Sequence, residues 1–108
     1  MAKQSIPAEV KRQGDEIVER FNGEIIQDGH RFFETRYRGW YVYLDRRDGH
    51  IVSQRGRITY TGAMDGWEFA IFKYSSETYD PDEWMFPGSQ HLNGTVEGAL
   101  KACVEADS

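Results

Sequence analysis

The stretch that decides the fold runs His30-Arg31-Phe32-Phe33-Glu34-Thr35-Arg36-Tyr37-Arg38-Gly39-Trp40-Tyr41-Val42-Tyr43-Leu44-Asp45-Arg46. Two runs rich in aromatic and β-branched residues flank a single glycine. Such residues favour a pleated, half-buried surface, and glycine supplies the positive φ of a tight turn, so the stretch predicts a β-hairpin. With Arg38-Gly39 as a two-residue loop, Tyr37 pairs with Trp40, Thr35 with Val42 and Phe33 with Leu44. These six make a core face. The opposite face carries Arg36 across from Tyr41, Glu34 across from Tyr43 and Phe32 across from Asp45. A one-residue change in the loop alters this register.

Working outward, strand-like runs cover Glu24–Gln27, His30–Tyr37, Trp40–Arg46, His50–Gln54, Ile58–Thr61 and Trp67–Tyr74. Asp-Gly pairs at 28–29, 48–49 and 65–66 read as hairpin turns, because both central positions of such turns need positive φ. Arg55-Gly56 reads as a bulge or break. On the N-terminal side, Val10, Gly14, Ile17, Val18 and Phe21 form the apolar stripe of a helix over 6–21. Ser5 is its expected N-cap, Pro7 lies in its first turn, and Asn22-Gly23 ends it with a left-handed glycine.

On the C-terminal side, Ser75–Gly94 is a long connection. Within it Asp80-Pro81-Asp82-Glu83 reads as a capping box opening a short helical turn through Phe86, which stops before Pro87-Gly88. Thr95 caps a last helix whose Val96, Ala99, Leu100, Cys103 and Val104 line one face. The expectation is an α+β fold: an antiparallel meander of four to six strands, flanked by an N-terminal and a C-terminal helix packed on one face, as a single domain over 1–108.

At 108 residues with 39% hydrophobic and 14% aromatic content, the chain has enough apolar surface for one core, which argues against disorder. Its longest apolar run, Trp40–Leu44, is far short of the roughly 20 residues of a membrane helix. Met1–Ser5 lacks the apolar core of a signal peptide. The lone Cys103 rules out an internal disulfide and a cysteine-based zinc site. A cytoplasmic location is the expectation.

Charge is uneven. Residues 1–60 hold eleven basic and nine acidic residues, a balance of +2, whereas residues 61–108 hold two basic and nine acidic, a balance of −7. Between 30 and 60 every base is arginine: Arg31, Arg36, Arg38, Arg46, Arg47, Arg55 and Arg57, against Glu34, Asp45 and Asp48. Arginine suits planar contacts with carboxylate or phosphate. Two readings stand open: these arginines pair with the acidic half of the same chain, or they serve a partner.

The sheet face with Phe32, Arg36, Tyr41 and Tyr43 carries the main functional expectation. Tyr, Phe, Trp and Arg are enriched at protein interfaces, so this face reads as a site for a protein partner or for self-association, a homodimer included. The alternative is single-stranded nucleic acid, stacked on Tyr41 and Tyr43 and neutralised by Arg36, Arg38, Arg46 and Arg47. The outline invites comparison with double-stranded RNA-binding domains, yet the last helix sets Lys101 beside Glu97, Glu105 and Asp107 and offers phosphate no basic start. The bland reading leaves tyrosine as a good strand residue on a half-exposed surface.

A second surface is the acidic-aromatic run of Glu77, Tyr79, Asp80, Asp82, Glu83, Trp84, Met85 and Phe86. Its aromatics either tuck into the core or make a hook for a partner, with Tyr79 and Trp84 as the binding candidates. Its acids do not follow calcium-loop spacing, so no metal is expected there. His30, His50 and His91 lack metal-pair spacing and read as surface residues beside turns. Cys103, on an apolar helix face, reads as buried and inert. With no phosphate loop and no nucleophile–base pair, no cofactor is expected, and binding leads over catalysis. An enzyme drawing on His30, His50 and the acidic loop is the third reading.

Overall fold

The computed structural model describes residues 6–83 and 85–106; Ser5 and Trp84, both singled out above, lie outside the described residues. Helix α1 (Ala8–Phe21) buries Gly14, Val18 and Phe21 and leaves Arg12 to pair with Glu9 and Glu16 on its exposed side. Pro7 occupies the position before it, with φ −58° and ψ 147°. The helix does not end at Asn22-Gly23. Asn22 keeps helical φ, and the chain widens into a π-helical turn over Asn22–Ile26. Gln27, at φ 53°, stops it by donating its N–H to the Asn22 carbonyl at 2.8 Å. Residues 24–27 are therefore not a strand.

The sheet is a five-stranded antiparallel meander in sequence order: β1 (Arg31–Arg38), β2 (Tyr41–Asp48), β3 (Ile51–Thr59), β4 (Glu68–Lys73) and β5 (Thr78–Asp80). The β1–β2 loop is Gly39-Trp40, not Arg38-Gly39. Arg38 faces Tyr41, so Tyr37 pairs with Val42, Arg36 with Tyr43, Glu34 with Asp45 and Phe32 with Arg47. The expected pairings are off by two residues. A shift of two preserves the side-chain alternation, so every residue keeps its expected face.

Gly49-His50 makes the same kind of turn between Asp48 and Ile51. In both turns the glycine alone takes positive φ, 60° at Gly39 and 63° at Gly49. This is the arrangement with glycine at the first central position rather than the Asp-Gly form. The other two Asp-Gly pairs are not hairpin turns. Asp28 accepts the His30 N–H at the entry to β1, and 65–66 lies within the connection from β3 to β4. The bulge at Arg55-Gly56 is present: Leu44 faces Gly56 while Asp45 faces Gln54, leaving Arg55 as the extra residue of an unbroken β3.

The 80–83 capping box gives way to strand pairing. Asp80 ends β5 opposite Ile71, its carboxylate accepts the Asp82 N–H, and Glu83 accepts the Met85 N–H. Lys73 of β4 holds both carboxylates, at 3.3 Å for Asp80 and 3.0 Å for Glu83. No helix forms over 80–86 among the described residues. Thr95 does cap the last helix, α2 (Val96–Ala106), by accepting the Gly98 N–H at 3.0 Å.

Both helices cover one face of the sheet, where Phe33, Val42, Leu44, Ile58 and Trp67 meet Val18, Phe21, Leu100 and Cys103. At Gly56 a Cβ would stand 2.8 Å from the Phe69 ring and 3.1 Å from Cys103 Sγ. Only glycine lets α2 lie this close. Burial pushes the Cys103 thiol up to about 12, leaving it protonated and inert as expected.

The free edge of β1 is partly closed. The Asn22 side chain donates to the Phe33 carbonyl at 3.0 Å and accepts the Phe33 N–H at 2.9 Å, standing in for a neighbouring strand. Ile6 N–H closes on the Gly39 carbonyl at 3.1 Å. Asn22→Ala strands two half-buried backbone groups and is expected to cost about 1–3 kcal/mol by chemical denaturation. Gly56→Ala overpacks the α2 contact and is expected to cost a similar amount, about 1–3 kcal/mol. Wild-type stability in either variant would contradict the packing described.

Candidate functional site

Alternation along β1–β5 sends a second set of side chains to the uncovered face of the sheet: Arg36 and Arg38 from β1, Tyr41, Tyr43 and Asp45 from β2, Arg57 from β3, Phe72 from β4 and Tyr79 from β5. Their rings form a continuous run. Tyr41 and Tyr43 lie 6.1 Å apart between ring centres, Tyr43 and Tyr79 5.2 Å, and Tyr79 and Phe72 5.0 Å. Arginines stack on it: Arg36 lies 4.8 Å from the Tyr43 ring centre, and Arg57 lies 4.3 Å from Tyr41 and 5.4 Å from Tyr79. Guanidinium–tyrosine stacking is worth about 0.5–1 kcal/mol at exposed sites and more when desolvated.

The face is fastened by Asp45. It is the buried charged residue of the sheet, 3% exposed, and Arg36 reaches it with Nε at 2.5 Å and Nη2 at 3.1 Å. This two-point contact is a diagonal pair, since Arg36 stands opposite Tyr43 and Asp45 opposite Glu34. Two carboxylates directly opposite repel. Glu34 resolves the conflict on the other diagonal, accepting Arg47 Nε at 2.7 Å. The hydrogen bond to Asp45 holds the Arg36 guanidinium above its ordinary pKa range.

Tyr79 is tied in by Gln54, whose Nε2 donates to its hydroxyl at 3.1 Å. Burial raises the Tyr79 phenol above its usual range, and the charge of Asp45 acts the same way, so it stays neutral. Arg57 differs from its neighbours. Its Nε is buried with no hydrogen-bond partner, and among the described residues no carboxylate lies within ion-pair distance of it.

Four of these arginines meet carboxylates of the β1–β2 hairpin itself. Arg36 takes Asp45, Arg47 takes Glu34, and Arg31 and Arg46 share Asp48 at 3.3 and 3.8 Å. On the open face Arg36, Arg38, Arg47 and Arg57 stand against Glu34, Asp45 and Glu68, so a single positive charge remains.

Of the residues expected in the site, Arg36, Tyr41, Tyr43 and Tyr79 come together. Tyr79 joins through β5, a strand that its loop-like sequence does not announce. Phe32 stands two rungs beyond, opposite Arg47, and makes no ring contact among the described residues. Trp84 lies outside the described residues. Phe86 packs on Phe69 at 5.9 Å, while Met85 is 90% exposed. His30 and His50 are exposed at the far end of the hairpins, and His91 meets Glu105 at 3.2 Å. Among the described residues no three of His, Cys, Asp and Glu gather in a way that could hold a metal ion, and no helix is long and apolar enough to cross a membrane. Asp45, Arg57 and Phe72 join this face without a binding signature of their own in the sequence; the alternation of β2 against β3 is the signal that places the first two.

Comparison with protein-family models, with curated proteins and with solved structures finds no match to this chain.

The Arg36–Asp45 pair is asymmetric, because Arg36 is 52% exposed and Asp45 is not. Arg36→Ala leaves a buried carboxylate unpaired and is expected to cost about 2–4 kcal/mol. Asp45→Asn leaves an arginine that water can reach and is expected to cost roughly half as much by the same measurement. The reverse order in urea denaturation would contradict this assignment.

Proposed function

We propose that this chain is a cytoplasmic protein-binding module acting through the open face of its sheet, with Arg36, Tyr41, Tyr43 and Tyr79 as the contact residues. The observation that carries the reading is the unbroken run of Tyr41, Tyr43, Tyr79 and Phe72, stacked with arginine on the face that no helix covers. Tyrosine, phenylalanine and arginine are the residues that anchor protein interfaces, since they bring large contact area at little entropy cost. Self-association, a homodimer included, is one form of this reading. The buried thiol of Cys103 suits a reducing compartment.

Nucleic-acid binding is the second reading, favoured by the stacked guanidinium groups. It ranks lower because Arg36, Arg46 and Arg47 already meet carboxylates, and because phosphate binding draws its strength from several uncompensated charges.

Sedimentation velocity from about 1 to 500 µM, with native mass spectrometry of protein isolated from its source, tests the first reading. The expected result is a concentration-dependent mass or a stoichiometric protein partner. Tyr41→Ser and Tyr79→Ser should each weaken that association by about 1–2 kcal/mol. A strict monomer without partner, or tight RNA binding that collapses with salt, would overturn it.

A further inference from the structure

We infer that the segment this face receives is acidic: a carboxylate set against Arg57, with an apolar side chain beside it in the open depression at the β1–β2 turn. The inference rests on the protein-binding reading above and names the chemistry of the partner. It follows from which charges on the face are already spent. Asp45 is taken by Arg36 and Glu34 by Arg47, and Glu68, the third carboxylate of the face, stands one rung beyond Arg57 and makes no ion pair with it among the described residues. Arg57 is held between Tyr41 and Tyr79, at 4.3 and 5.4 Å from their ring centres, and its Nε is buried without a hydrogen-bond partner. A guanidinium fixed in this way has lost its rotamer freedom before any partner arrives, which lowers the entropy cost of binding. Its planar fork matches a carboxylate.

Tyr41 also lines an adjoining open depression of about 810 Å³, bordered by Trp40, Tyr43, Tyr60 and Thr59 with Arg38 at its exposed rim. That volume is in the range that takes a large side chain or small ligand, and its aromatic lining favours an apolar one. A carboxylate next to an apolar residue therefore meets Arg57 and the depression together, with Arg38 available to a second acid. A basic segment would meet Arg57 and Arg38 as like charges. A nucleic-acid strand would meet a face with a net charge of only one, short of the several uncompensated charges that give phosphate binding its strength.

The test is selection of random short peptides displayed on phage against the folded protein, followed by titration of recovered peptides with wild type, Arg57→Ala, Arg57→Lys and Arg38→Ala. Amide spectra of each variant report its fold. The expected peptides carry Asp or Glu beside Trp, Phe or Leu, lose at least about tenfold in affinity on Arg57→Ala, and recover part of it on Arg57→Lys. Arg38→Ala, at an exposed strand end, should weaken them by roughly threefold and serves if Arg57→Ala does not fold. Recovered peptides without acids, or acidic peptides indifferent to both arginines, would overturn the acidic partner while leaving the binding face in place. Failure to recover any peptide would overturn the acidic segment while leaving self-association to the sedimentation test, and binding of a short polyuridine RNA in preference to every peptide would overturn both readings.

Discussion

Gly39 takes φ 60° between Arg38 and Trp40 and so closes β1 onto β2 with Arg38 facing Tyr41. The composition of both sheet faces depends on the register that results. In a strand each residue points opposite to its neighbours, so one register sends Phe33, Tyr37, Val42 and Leu44 under the helices and Arg36, Tyr41, Tyr43 and Asp45 to the open side. A register moved by one residue on β2 would carry Asp45 away from Arg36 onto the helix-covered face and expose Leu44. The transfer cost of such an exchange, several kcal/mol for the charge alone, makes the alternation self-enforcing.

From that register the charges arrange themselves. Glu34 and Asp45 face one another, a repulsive placement that each escapes along a diagonal to an arginine. The buried carboxylate at the centre then orients Arg36 over Tyr43, and Tyr43 adjoins Tyr79. The bulge at Arg55 keeps Gln54 and Arg57 on the open face while its neighbour Gly56 turns inward beneath α2. The covered and open faces are thus built by one strand pair, β2 and β3, and a change on either side is felt on the other.

The α+β class, the meander and the placement of both helices could be read from the sequence because hydrophobic period and turn glycines carry them. Arg36, Tyr41 and Tyr43 were placed on one face for the same reason, even though the pairing itself was wrong by two residues. What escaped the reading depended on partners distant along the chain. Asn22 looked like a helix stop because its side chain's bond to Phe33, eleven residues on, has no local signature. Asp80 looked like a cap because Lys73 and the pairing with Ile71, which hold it as a strand end, are properties of the folded sheet. For the same reason Tyr79 read as part of a loop and not of the tyrosine run.

If the chain works as the proposed binding module, the open face of Tyr41, Tyr43 and Tyr79 is covered in its working state. Hydroxyl-radical footprinting of protein isolated under native conditions, compared with the same chain refolded alone, tests it most directly. Tyr41 is 37% exposed and should be modified in the refolded chain, whereas Ile25, 54% exposed in the turn after α1, serves as an internal reference. Protection of Tyr41, Tyr43 and Tyr79 in the native preparation, with Ile25 unchanged, is the expected result. Equal modification of the three tyrosines in both preparations would contradict it.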